Sequence, residues 1–192
     1  MYKFRSVVAA LLLASMAAWA GPFEDAFDAY RKRDYALALR LWQSLAEAGN
    51  AGAQSNVGHM HINGYGVPKD GQQALIWFRK AADQGNAIAQ YNIGLMYDSG
   101  EGVPKDDQQA LLWYRKAADH GHTAAQFNLG VMYATGQGVP KDDQLAYFWW
   151  LLASEGGGAA SVNSRDLAEA RLTPQQRDAA RADARNWKPR KP

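Results

Sequence analysis

The chain has 192 residues, with 21 Lys+Arg against 19 Asp+Glu, a formal net charge of +2 and no cysteine. Without a thiol there is no disulfide, no thiol catalysis and no cysteine-based metal site. Setting aside residues 1–20, which hold Lys3 and Arg5 and no acid, leaves 19 cations against 19 anions, so no global field draws nucleic acid or an anionic membrane, and neither is expected as a partner.

At the N-terminus Lys3 and Arg5 precede an apolar run from Val7 to Ala18, and Ala18-Trp19-Ala20 puts small residues at the two positions a signal peptidase requires. Residues 1–20 therefore read as a signal peptide cleaved after Ala20. The run is too short for a comfortable membrane span. No cysteine follows it for lipid attachment, and no paired arginines precede it to select the twin-arginine route. The mature protein is expected in the periplasm or outside the cell, with no membrane insertion after cleavage.

Residues 21–50 read as a first helix pair. Phe23 to Arg31 forms one helix; Asp34 caps Tyr35 to Ala48, with Ala38, Leu41, Trp42 and Leu45 on one face. Counting 36 residues forward places Asp34 on Asp70, Ala38 on Ala74 and Trp42 on Phe78, so this is a further unit whose glycine loop has become Arg31-Lys32-Arg33. It is expected to cap the N-terminal end.

Three full repeats follow, over 51–86, 87–122 and 123–158. The middle one matches the first at 23 of 36 positions and the third at 18. Within it Ala89, Ile93 and Met96 make one helical stripe, and Ala110, Trp113, Tyr114 and Ala117 a second. Between the stripes lies Gly100-Glu101-Gly102-Val103-Pro104-Lys105, whose glycines permit positive φ and whose proline cannot continue a helix. Asp106 stands three residues before Gln109, the spacing of a capping box, as does Asp70 before Gln73; Leu145 replaces the glutamine after Asp142. One 36-residue helix pair cannot bury its own apolar stripes, so each must be covered by the next. The expected fold is all-α, an α/α superhelical solenoid of antiparallel helix pairs.

In the third repeat Arg115-Lys116 gives way to Leu151-Leu152, and the apolar stretch from Tyr147 to Leu152 must be covered. Residues 159–187 are expected to supply that cover as C-terminal capping helices. The first keeps no repeat signature. The second starts at Thr173-Pro174-Gln175-Gln176, with an N-cap, proline at the first helical position and a box glutamine. Residues 188–192 form a basic tail, expected to be solvated.

The recurring residues identify a family resemblance. Ala-x-x-Gln-x-Asn-hydrophobic-Gly-x-Met-Tyr, then Gly-x-Gly-Val-Pro-Lys-Asp, then Ala-x-x-Trp-[Phe/Tyr]-x-x-Ala-Ala resembles the Sel1-like repeat, a lengthened relative of the tetratricopeptide repeat. It extends over Ala51 to Gly158 and more loosely over the flanks. The resemblance implies a solenoid used mainly as a protein-binding scaffold, without naming the partner.

No catalytic constellation is present. The repeated Asp70, Asp106 and Asp142 fall at helix starts, where carboxylates accept backbone N–H bonds. Acyl-enzyme and phosphate-binding motifs are missing. His59 and His61 are two apart on a helix and point about 200° apart, while His120 and His122 flank Gly121, where their cations would favour a helix C-terminus. No metal, cofactor or catalytic residue is assigned. Trp77, Trp113 and Trp149 repeat at core spacing.

A register of amides is the candidate site. Asn56, Asn92 and Asn128 recur at one place in each first helix, and the resemblance implies that first helices line a concave face, where such amides could bond the backbone of an extended segment. Neighbouring Ser55, Tyr91 and Phe127, and His59, Leu95 and Val131 one turn along, would grade the groove from polar to aromatic. Alternatively each asparagine ties its unit to the next. The leading reading is an exported, non-enzymatic adaptor that binds a protein or peptide segment. Its rival is envelope or peptidoglycan-related ligand binding, or β-lactamase-like activity, as in secreted Sel1-like proteins; those are cysteine-rich, unlike this chain. A third reading is an assembly component with Leu151-Leu152 as its contact.

Overall fold

The computed structural model describes residues 21–156 and 158–191; the expected signal peptide at 1–20 lies outside them. The described residues form ten helices and no strand: α1 (Pro22–Arg31), α2 (Tyr35–Glu47), α3 (Ala51–Asn63), α4 (Gly71–Ala82), α5 (Ala87–Ser99), α6 (Asp107–Asp119), α7 (Thr123–Thr135), α8 (Asp143–Ser154), α9 (Ala159–Glu169) and α10 (Pro174–Asn186). Each helix from α1 to α8 packs on the next in sequence, and α9 and α10 both pack on α8. The chain is thus a stack of antiparallel pairs closed at its C-terminal end.

The stack is built from small helix residues that let a large ring approach. Ala89, Ile93 and Met96 on α5 and Ala110, Tyr114 and Ala117 on α6 are buried, with Trp113 partly so. Gly58, Gly94 and Gly130 lie directly under the rings of Phe78, Tyr114 and Trp150, and a Cβ on Gly94 would stand 2.5 Å from Tyr114 Cδ1. Between units the loops interlock: a Cβ on Gly102 would meet the Cα of Gly71, on the preceding pair, at 2.6 Å. The loop glycines therefore serve close approach as well as their positive φ.

Caps recur with the period. Asp34, Asp70, Asp106 and Asp142 each accept backbone N–H bonds at the start of a second helix. Among the described residues the reciprocal bond of a capping box forms only at Thr173–Gln176. Asp70–Gln73 and Asp106–Gln109 are one-sided caps, which is why Leu145 serves as well as glutamine in the third repeat. First helices α3 and α5 are capped by Asn50 and Asn86, and α7 by His122, whose Nδ1 accepts from Ala125 N. That corrects the placing of His122 at a helix C-terminus. An accepting Nδ1 requires a neutral ring, and burial holds His122 below the ordinary imidazole pKa.

The unit interfaces carry a second amide register. Gln54, Gln90 and Gln126, two positions before the asparagines, are buried and donate to the carbonyls of Ala46, Ala82 and Ala118 at 3.1, 3.2 and 3.4 Å. Each is a second donor to a carbonyl at the end of the preceding second helix, which also accepts the backbone N–H of Gly49, Gly85 or Gly121. Gln84 donates to Gln54 Oε1 at 2.7 Å, and His120, 36 residues later, bonds Gln90 Oε1 through Nδ1 at 2.9 Å. An amide oxygen only accepts, so His120 Nδ1 carries the proton. The next residue in the glutamine register is Val162, and there the ladder stops.

At the C-terminal end Leu152 is buried and Leu151 half-buried, in one core cluster with Ala180, Ala184 and Trp187. Tyr147 Oη donates to Glu169 at 2.9 Å and accepts from Arg181 Nε at 3.0 Å, while Arg181 also pairs with Glu169 at 2.7 Å. This triad joins α8, α9 and α10. The basic tail is exposed and also touches the stack: Arg190 N donates to Asp119 O at 2.7 Å and its guanidinium lies 3.5 Å from the Asp119 carboxylate. A cation there complements the C-terminal end of α6.

Candidate protein-binding groove

The expected site residues sit on α3, α5 and α7, and the structure divides them. Ser55, Asn56 and His59 of α3 share one open cavity of about 190 Å³ with Asn92 of α5. Its other walls are Phe27 and Tyr30 of α1, Trp42 of α2 and Ile88 of α5. Helical geometry explains the grouping: residues 55, 56 and 59 lie within about one turn, and residues 88 and 92 are one turn apart on the adjacent first helix.

Further along, the aromatic positions turn into the stack. Tyr91 lies flat against His122, with ring centroids 4.5 Å apart and planes at 23°, and its ring is 5.8 Å from that of Tyr114. Phe127 packs against Trp150 and accepts its indole N–H through the backbone carbonyl at 3.1 Å. Leu95 is exposed and Val131 partly buried.

The three asparagines do not act alike. Asn56 and Asn92 border the cavity, and Asn56 Nδ2 is buried without a hydrogen-bond partner. Asn128 lies outside the cavity, beside the phenols of Tyr91 and Tyr114 in the preceding unit. Burial raises the pKa of both tyrosines, and the Asn128 side chain works against that rise. The amides that border the cavity are the pair Asn56–Asn92.

Electrostatically the cavity is bland. Among its lining residues none is Asp, Glu, Lys or Arg, and burial lowers the pKa of His59, the one titratable imidazole. Among the described residues no group of three His, Cys, Asp or Glu could hold a metal ion. The α1–α2 walls went unread in the sequence because the short Arg31-Lys32-Arg33 connection shifts α1 out of the 36-residue register, hiding that Phe27 and Tyr30 face the same space.

With the geometry in place, comparison with known proteins decides the family. The Sel1 repeat profile matches residues 26–50, 51–86, 87–122 and 123–158. The chain belongs to the Sel1 repeat family. Sel1 repeat proteins are generally protein–protein interaction scaffolds and typically non-catalytic. Among solved structures, this Sel1 chain is similar to a protective antigen with an SLR fold from uropathogenic Escherichia coli, at 36% identity and a TM-score of 0.72 over 79% of this chain and 32% of that one. It is also similar to a Sel1 repeat protein from Oxalobacter formigenes, at 32% identity and a TM-score of 0.72 over 76% of this chain and 60% of that one. The chain therefore spans about a third and three fifths of the lengths of these two relatives. No curated protein matches it.

Proposed function

We propose that this Sel1 repeat protein is an exported, non-enzymatic adaptor, working in the periplasm or outside the cell, that holds a segment of a partner protein against the face of its first helices. One observation carries the reading. Residues of α1, α2, α3 and α5 converge on a single open cavity in which the amides Asn56 and Asn92 stand beside aromatic and aliphatic surface. Leu95 extends that surface along α5. Such amides supply sequence-tolerant bonds to a peptide backbone, while the apolar walls select side chains.

Export rests on the N-terminal signal pattern, and it agrees with the absence, among the described residues, of any helix long and apolar enough to cross a membrane. Sequencing the N-terminus of secreted or periplasmic protein is expected to begin at Gly21. For binding, affinity capture from an envelope extract with the 21–192 protein is compared with an Asn56→Ala/Asn92→Ala variant and with Asn128→Ala. The double variant is expected to lose its partner with melting nearly unchanged. Asn128→Ala, outside the cavity, is expected to keep the partner. Undiminished capture by the double variant would refute the groove.

A further inference from the structure

We propose that the trough between α8, α10 and the tail is a second docking site, taking a partner segment in which a carboxylate side chain stands next to an aromatic or aliphatic one. It is independent of the groove on the first helices.

Two open cavities, of about 360 and 420 Å³, meet there across Leu145, Phe148 and Trp187, which line both. These three are the apolar part of the site. Leu145, 37% exposed, stands where the two preceding repeats carry Gln73 and Gln109. Because the aspartate cap there is one-sided, the leucine costs the helix end nothing and adds apolar surface to the trough. Trp187 closes α10, and the tail that follows it reaches α6 through the Arg190–Asp119 pair, which completes the wall. Neither Ile76 nor Leu112, the exposed apolar residues of α4 and α6, lines the trough.

Charge decides what the apolar surface meets. The larger cavity is lined by three cations, Arg115, Lys188 and Arg190, and by one acid, Asp119. Arg190 pairs with Asp119, whereas among the described residues neither Arg115 nor Lys188 forms an ion pair, and both are exposed. The Arg115 guanidinium lies 5.2 Å from the centre of the Trp149 ring, itself part of the same cavity wall. One unit earlier Arg79 is used differently, donating to Tyr97 Oη at 3.1 Å. Two unpaired cations beside apolar surface select an anion that carries an apolar group. Asp119 and Asp183, one in each cavity, would repel a polyphosphate chain. The amides of Gln144 and Asn186 in the smaller cavity both donate and accept, which a peptide backbone uses and a fatty-acid chain does not.

The test titrates four end-blocked peptides, Gly-Phe-Glu-Gly, Gly-Phe-Gln-Gly, Gly-Ala-Glu-Gly and Gly-Phe-Lys-Gly, and separately dodecanoate, into the 21–192 protein. NMR follows the Trp187 indole N–H and the Leu145 methyl groups. The Phe-Glu peptide is expected to give saturable shifts at both positions. Its affinity should exceed that of the Phe-Gln peptide by about fivefold and that of the Ala-Glu peptide by about tenfold, with the Phe-Lys peptide weakest. Raising salt from about 50 to about 500 mM should erase most of the difference between the Glu and Gln peptides. Arg115→Gln and Lys188→Gln, both at exposed positions, are each expected to shrink that difference with melting unchanged. Equal affinity for the Glu and Gln peptides, a difference that survives both substitutions, or no shift with any peptide would overturn the proposal. So would saturation by dodecanoate and by no peptide, which marks a small-amphiphile site. Shifts at Trp187 that grow with protein concentration in the absence of peptide would assign the trough to a second copy and overturn it as well.

Discussion

Gly94→Ala tests how the helix pairs are built. Alanine is the better helix former by about 1 kcal/mol, so on local grounds the substitution in α5 stabilises. The packing argues the reverse. The added Cβ would stand 2.5 Å from Cδ1 and 2.7 Å from Cε1 of Tyr114, a ring with no exposed surface, whose hydroxyl is bonded to Asp98 at 3.2 Å. A ring so enclosed and tethered cannot swing aside, and forcing extra volume into a packed core costs roughly 1–3 kcal/mol, occasionally more. With the clash falling on two ring carbons, the upper end of that range applies, and the net loss is about 2 kcal/mol after the propensity gain. For a domain of this size that lowers Tm by roughly 4–8 °C. Thermal and urea unfolding of Gly94→Ala, Tyr114→Leu and the double variant form the cycle. Leucine vacates the ring plane, so the double variant is expected to be more stable than the sum of the single losses implies. A stabilised Gly94→Ala, or purely additive losses, would refute the ring-on-glycine account.

The glutamine register gives a second expectation: Gln90→Ala leaves the His120 N–H without its partner, while the Ala82 carbonyl keeps the Gly85 N–H, and should cost about 1 kcal/mol in urea unfolding, with groove binding retained. Gly100 and Gly102 both have positive φ, at 79° and 75°, but only Gly102 presses on the neighbouring unit, so Gly102→Ala is expected to lower Tm clearly more than Gly100→Ala, and equal effects would mean that φ alone matters. His122 gives a pH dependence. Its pKa is lowered from 6.5 chiefly by burial, so the native state resists protonation, the cap is fully in place above that value, and stability falls as pH drops below about 6.5 through the folded value. His59 adds a slope of the same sign. His122→Asn restores the cap residue found at Asn50 and Asn86, and its Tm should fall less between pH 7 and pH 5 than the parent's; an unchanged slope would place the titration elsewhere.

The periodic part of the fold was legible because recurrence at 36 residues is a property of the sequence itself. The stripes Ala89-Ile93-Met96 and Ala110-Tyr114-Ala117, and the caps Asp70, Asp106 and Asp142, are read from spacing alone. Direction is harder. Two amide registers run through the repeats two residues apart, and period alone does not say which enters the interface; the bonds between units are made by Gln54, Gln90 and Gln126, while Asn56 and Asn92 border the cavity. Context also decides roles: His122 is a cap because it stands where Asn86 stands, a comparison the sequence contained, while its neighbour His120 takes the place of Gln84. The walls supplied by α1 and α2 were hidden by the shortened loop, since Phe27 and Tyr30 lie off the register that Trp42 keeps. The back-folded Arg190 depends on Asp119, more than seventy residues earlier, and no local pattern in the tail carries that pairing.

The central claim is that the first-helix face, rather than the outer face of the second helices, meets the partner, and the exposed apolar residues allow it to be tested directly. Ile88 lies on α5 at the cavity; Ile76 and Leu112, both 46% exposed, lie on α4 and α6. A photo-crosslinking amino acid placed singly at these three positions in the 21–192 protein, irradiated in an envelope extract, reports which face is occupied. A discrete crosslinked protein from position 88, absent from 76 and 112 and suppressed by the Asn56→Ala/Asn92→Ala change, is the expected result. Crosslinks from 76 or 112 with none from 88 would contradict it.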